Sequence, residues 1–171
     1  MSITVRDNCL FFKNLTESME FEGSTGEQAP LKALERAAKT SLAPEVYFDQ
    51  VQRVNSSGLL IWVKALRLYK EMFYYCKAPE WLVGFFNERN SEFLLRGKVR
   101  SFFAPFFDQK NGVSKVILIH VNDLDPNPQS EEDLERINWH KQPGVTRDLI
   151  IDFDPAEYLH FLLPLALSAS A

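Results

Sequence analysis

Cysteine is scarce in this chain: 171 residues hold two, Cys9 and Cys76, far apart in sequence. Two distant thiols exclude a disulfide framework and any Cys-x-x-Cys metal or redox motif. Both lie in apolar, strand-like runs, where a buried free thiol is expected. Basic charge is also in short supply, with 19 Lys and Arg against 23 Asp and Glu, a net charge of −4 and no basic cluster. That balance disfavours nucleic-acid binding through phosphate contacts. Long apolar runs are missing. The most apolar stretch, Tyr158 to Ala169, contains His160 and Pro164 and falls short of the ~20 residues a membrane span needs. No secretory signal opens the chain, so a soluble, cytoplasmic protein is expected.

Catalytic and metal motifs are likewise absent. His120, His140 and His160 stand at no ligand spacing, so no metal is expected. Asp123-x-Asp125-x-Asn127 starts like a calcium loop, but Pro128 and Leu134 occupy the glycine and glutamate positions. Gly23-Ser24-Thr25-Gly26 lacks the P-loop pattern and its lysine. There is no Gly-x-Ser-x-Gly elbow. No cofactor and no enzymatic activity are expected.

What is present is an ordinary globular composition, 46% apolar and 25% charged, with a high count of 14 Phe. Ile3-Thr4-Val5 and Cys9-Leu10-Phe11-Phe12, joined by Asp7-Asn8, predict a hairpin. Ser18 to Glu22 alternates with period two and predicts another strand. Ser24-x-x-Glu27 fits a capping box for a helix to about Thr40, with Leu31, Leu34, Ala37 and Ala38 as its buried stripe. Strand patterns then alternate with helical ones: Val46-Tyr47-Phe48, a helix from Leu59 to Tyr69, Phe73 to Cys76, and a helix opened by Pro79-Glu80-Trp81. Val99 to Phe107 predicts a fifth strand, interrupted by Pro105. This alternation implies βαβ crossovers and a mixed sheet with helices packed against it. Residues 1–111 form the expected domain. Residues 112–171 read as a C-terminal β/α extension with strands at Val116–Val121 and Leu149–Phe153 and a last helix from Pro155. An integral sheet extension, a dimerisation element and a cover over the first domain are its three readings. The first is favoured, because a continuous apolar strand such as Val116–Ile119 usually lies inside a sheet.

The most informative segment is Val54-Asn55-Ser56-Ser57-Gly58-Leu59. Its two serines fall where a strand gives way to a helix, at free N–H groups and the positive end of the helix dipole. Asn-Ser-Ser there is ordinary N-cap chemistry. It is also a place where a phosphate is stabilised. The segment resembles the signature of the STAS domain, the family of the anti-sigma-factor antagonists, Asp-Ser-(Ser/Thr)-Gly-Leu, with Asn55 in place of the acidic residue. The resemblance covers residues 1–107 and implies the order β-β-α-β-α-β-α-β. It also implies that Ser56 is the residue phosphorylated by a partner kinase that is itself an anti-sigma factor, with Ser57 its neighbour.

On the helical wheel Lys64, Arg67 and Glu71 share one face, and Trp62, Ala65 and Tyr69 the opposite, buried one. Leu60 falls on the polar face and Val63 on its shoulder. Asn55, Gly58, Leu60, Val63, Lys64 and Arg67 therefore form the candidate partner-binding surface. Arg53, three residues upstream of Ser56, is either a partner for a phosphate or a solvated side chain, the commoner state. The expected function is non-enzymatic partner switching through a kinase or anti-sigma-factor-like protein, without membrane insertion. The chief alternative is a constitutive scaffold or complex subunit, as in the STAS component of lipid-transport ATPase complexes. A nucleotide or anion binder is the third, and a homodimer remains open.

Overall fold

Asp7, at φ 54°, turns the chain back on itself, a backbone region that Asp tolerates through its short polar side chain. The result is the expected antiparallel hairpin of β1 (Ile3–Arg6) and β2 (Cys9–Phe12), with Ile3 opposite Phe12 and Arg6 opposite Cys9. The computed structural model describes residues 2–39, 43–88, 92–125 and 127–163. After the short strand β3 (Asn14–Leu15), the strand expected over Ser18–Glu22 shrinks to β4 (Glu20–Phe21). It pairs with β5 (Ser24–Thr25) across Glu22 and Gly23, both at positive φ. Two successive positive φ values are what a two-residue hairpin turn requires.

That hairpin removes the expected capping box. Ser24 sits in β5, and helix α1 (Gln28–Ala38) starts after Glu27 with no side-chain cap. Thr40, the expected helix end, lies outside the described residues. The buried stripe of α1 is Ala29, Pro30, Ala33, Leu34 and Ala37, while Leu31 and Ala38 are only half-buried.

The next elements follow the expected alternation: β6 (Glu45–Tyr47), β7 (Arg53–Val54), α2 (Ser56–Leu68), β8 (Phe73–Cys76), α3 (Glu80–Asn87) and β9 (Gly97–Val99). They complete a five-stranded mixed sheet in the order β1-β2-β6-β8-β9, antiparallel at β1–β2 and parallel elsewhere. Its buried face carries Ile3, Leu10, Phe12, Val46, Phe48, Phe73 and Tyr75 against the helices. Phe12 and Phe48 stack at 4.8 Å, and Trp62 of α2 meets them edge-on at 5.2 and 5.6 Å. The polar atoms buried with these rings are satisfied: Trp62 Nε1 donates to Tyr75 Oη at 3.2 Å, and Tyr75 Oη donates to the Phe93 carbonyl at 2.7 Å.

The expected fifth strand is two. The chain bends at Arg100, and β10 (Ser101–Asp108) leaves the first sheet to become the centre of a second, ordered β11-β10-β12. Pro105 does not interrupt it. The Pro105 carbonyl accepts from Asp152 N at 3.2 Å, and β12 (Leu149–Ile151) pairs only with Phe106 to Asp108. The missing N–H therefore falls beyond the ladder on that side. β11 (Val113–His120) pairs with β10 over all eight of its residues and with nothing else among the described residues. Val116–Ile119 is thus part of an edge, not the interior strand its apolar run suggested. Asn111-Gly112, the expected domain limit, is the turn of this β10–β11 hairpin, so both expected units contribute to one sheet.

One face of the second sheet packs under short elements. α4 (Glu131–Glu135) opens with a Ser130/Asp133 capping box, and α5 (Pro155–Tyr158) is capped by Asp154, followed by a 3-10 turn at His160–Leu162. The expected last helix from Pro155 is present with four residues, and residues 164–171 are outside the described residues. Phe106 meets Trp139 and Phe153, and Phe102 meets Phe161. The other face carries Phe103, Pro105, Phe107 and Leu118, all half-buried, with Val116 at 53% and Ile150 at 44% exposure. No described helix is long and apolar enough to cross a membrane.

Candidate functional site

Asn55 is the N-cap of α2. Its extended backbone (φ −143°, ψ 167°) lets its carbonyl accept the first helical bond from Leu59 N at 3.0 Å, while Oδ1 accepts from Gly58 N at 2.9 Å. The side-chain amide donates to Glu17 at 2.5 Å, and the Asn55 N–H donates to the Leu15 carbonyl at 3.1 Å. The β3–β7 pairing, Asn14 with Arg53 and Leu15 with Val54, brings those partners alongside. The contact is as close as backbone permits: a Cβ on Gly58 would lie 2.0 Å from the Leu15 oxygen. Gly58 is therefore required for approach, since any side chain would displace one main chain from the other.

Ser56 and Ser57 occupy the first two helical positions and are exposed. Their N–H groups find no acceptor among the described residues, as expected for the first turn of a helix. The Asn55 hydrogen bond holds the Glu17 carboxyl below its usual range. One negative charge thus already stands beside the positive helix end. Arg53 is exposed and makes no ion pair among the described residues.

The structure sorts the expected docking residues. Leu60 is 54% exposed, and Val54, just before the cap, is 43% exposed. Val63 is half-buried against the core. Gly58 is buried, so it shapes the site without presenting surface. Lys64 reaches Glu27, the residue just before α1, at 3.7 Å, and Arg67 pairs with Glu92 through two hydrogen bonds. Trp62, Ala65 and Tyr69 are buried as the wheel requires. Leu15, Glu17, Glu27 and Glu92 all belong to the site's frame. Nothing in the sequence pattern marks them, because they are brought in by segments remote in sequence from α2.

The open face of the first sheet is the other polar concentration. Phe11 and Tyr47 stack at 4.9 Å there, and Glu45 accepts from Tyr47 Oη at 2.8 Å and pairs with Arg100, whose guanidinium lies 4.2 Å from the Tyr74 ring centre. A half-open depression of about 520 Å³ adjoins Thr4, Phe11, Lys13, Gln50 and Gln52. Burial raises the thiols of Cys9 and Cys76, the latter to about 11, and Glu45 reinforces both shifts. Such thiols stay protonated at neutral pH and are poor nucleophiles. No group of His, Cys, Asp and Glu suited to a metal occurs among the described residues. Comparison with family models, curated proteins and solved structures finds no match to this chain.

Proposed function

We propose that this chain is a non-enzymatic, cytoplasmic regulator that binds a protein partner at the start of α2. Its mode is partner switching of the kind associated with anti-sigma-factor antagonists of the STAS family. The observation that carries the reading is the exposed Ser56-Ser57 pair flanked by exposed Val54 and Leu60. A hydroxyl that a kinase can reach lies on the same rim as apolar side chains that a partner can cover. The crossover order of the five-stranded sheet supports it too. Unmodified, the rim docks its partner through Leu60 and Val54. Phosphate on Ser56 adds about −1.5 to −2 charge next to Glu17, and binding is lost to repulsion and to the cost of burying that charge.

One observation favours a second reading, a constitutive scaffold or complex subunit. The Asn55 cap and the Gly58 approach give Asn-Ser-Ser-Gly a complete structural reason without any modification. The two separate by experiment. Under switching, Ser56→Asp abolishes partner capture, Ser56→Ala retains it, and mass analysis of the native protein finds phosphate that varies with growth condition. Under scaffolding both variants capture alike. Neither change touches the cap itself, so both should leave stability within about 0.5 kcal/mol.

A further inference from the structure

The strand edges of this molecule are unequal. β1, β9 and β12 end their sheets with four, three and three residues, whereas β11 ends its sheet with eight. An edge strand presents alternate N–H and C=O groups that call for another strand. On the outer side of β11 no described residue supplies one. Most of the usual protections are also missing. β11 has no proline, its pairing with β10 is one-to-one from Val113 to His120 without a bulge, and its one charged side chain is Lys115. That ammonium is held by Asp108 at 2.6 Å on the neighbouring strand, so it does not guard the edge. Val116, at 53% exposure, stands at the middle of the strand.

We propose that β11 is a homodimer interface, the outer edge of one copy pairing antiparallel with the same edge of a second. The strand is its own complement. With a two-fold axis at Ile117, Val116 lies opposite Leu118, Lys115 opposite Ile119 and Ser114 opposite His120 of the other copy. Each pair shares one face of the sheet, and Lys115 does not meet its own counterpart. Head-to-tail addition to β12 is limited to its three residues. The longest pairing available to two copies is the symmetric one, which closes after two chains instead of growing into a filament. The joined sheet then runs β12-β10-β11 and back through the second copy, and Val116 and Leu118 of both copies cover one another at the axis. The proposal stands on β11 alone and is independent of the Ser56 reading.

Sedimentation of the full chain over a wide dilution series tests it. A reversible dimer is expected, with Val116→Lys weakening association by about tenfold or more because it places charge in the apolar strip between the copies. Circular dichroism confirms that this variant keeps its fold. Hydrogen exchange on the unaltered protein gives the same answer without any variant: alternate β11 amides should be protected in concentrated samples and released on dilution. A monomer at every concentration overturns the proposal. So does assembly that continues past two chains, or a dimer whose β11 amides exchange as freely as in the monomer.

Discussion

The two sheets treat their uncovered faces differently. The free face of the five-stranded sheet carries partnered side chains: Phe11 stacks on Tyr47, Arg100 covers Tyr74, and Glu45 accepts from Tyr47. The rings of Phe11, Tyr47 and Tyr74 are each shielded by a neighbour and Glu45 is answered by Arg100, so this part of the face can meet water as it is. The free face of the three-stranded sheet carries Val116, Leu118, Ile150, Phe103 and Phe107, with Ser114 and His120 as polar residues towards its ends. Exposed Val116 and Ile150 on that face are the apolar side chains it leaves to solvent. The covered faces differ as well. Helices of eleven, thirteen and eight residues lie over the first sheet, and helices of five and four residues with short turns over the second.

That contrast can be tested, most strongly at the aromatic cores. Trp62→Ala should cost about 3–5 kcal/mol in denaturant unfolding, since it empties the largest fully buried side chain of the molecule. Phe106→Ala should move the same single transition, because β9 and β10 are separated only by Arg100 and tie the sheets together. A two-step unfolding curve in either variant would instead show two separable units.

Next in size is Gly58→Ala. Alanine favours helix by about 1 kcal/mol over glycine, yet its Cβ would lie 2.0 Å from a main-chain oxygen. Overpacking should win, with net destabilisation of about 1–3 kcal/mol by thermal or urea unfolding. A neutral outcome would mean that the Leu15 segment gives way easily and does not frame the helix start.

Asp108 sharpens the comparison on the second sheet. Lys115 and the Asn111 side chain hold its carboxyl well below the usual carboxylate range, and the Lys110 and Asn111 amides donate to it at 3.1 Å. The lowered folded value means that its contribution is complete above the ordinary carboxylate range, near pH 4, and is lost as pH falls below it. Asp108→Asn should therefore lower the melting temperature at neutral pH and converge with the unaltered protein in acid. The smallest effect belongs to Tyr69→Phe. The Tyr69 hydroxyl is buried without a partner among the described residues, and burial pushes it up to about 12. Its removal should be neutral or stabilising by up to about 1 kcal/mol.

Local patterns carried much of this architecture. Asp7-Asn8 turns the first hairpin, the alternation around Leu10 and Phe12 sets the buried face, and Asn55 caps α2 as its residue type suggests. Readings failed where a distant segment decides. Ser24-x-x-Glu27 has capping-box spacing, but the turn at Glu22 and Gly23, both at positive φ, makes Ser24 a hairpin residue. The Val116–Ile119 run is as apolar as an interior strand, and only the sheet order reveals an edge. Pro105 is a breaker by residue type, yet β10 runs through it and the bend falls at Arg100. At the candidate site Asn55 and the serines were legible. The reason for Gly58 was not, because it is the Leu15 main chain, delivered by a different strand.

The near-continuity of β9 with β10 makes that stretch a spacer of fixed length. β9 belongs to the sheet that α2 packs on, and β10 is the strand that bears β11. Two chains joined along β11 would hold their two α2 ends at a set separation. A partner that is itself two-fold symmetric with matching spacing would then bind its second arm at high effective concentration, while one of the wrong span would engage a single end. Selectivity among partners would rest on distance as much as on the side chains around Ser56.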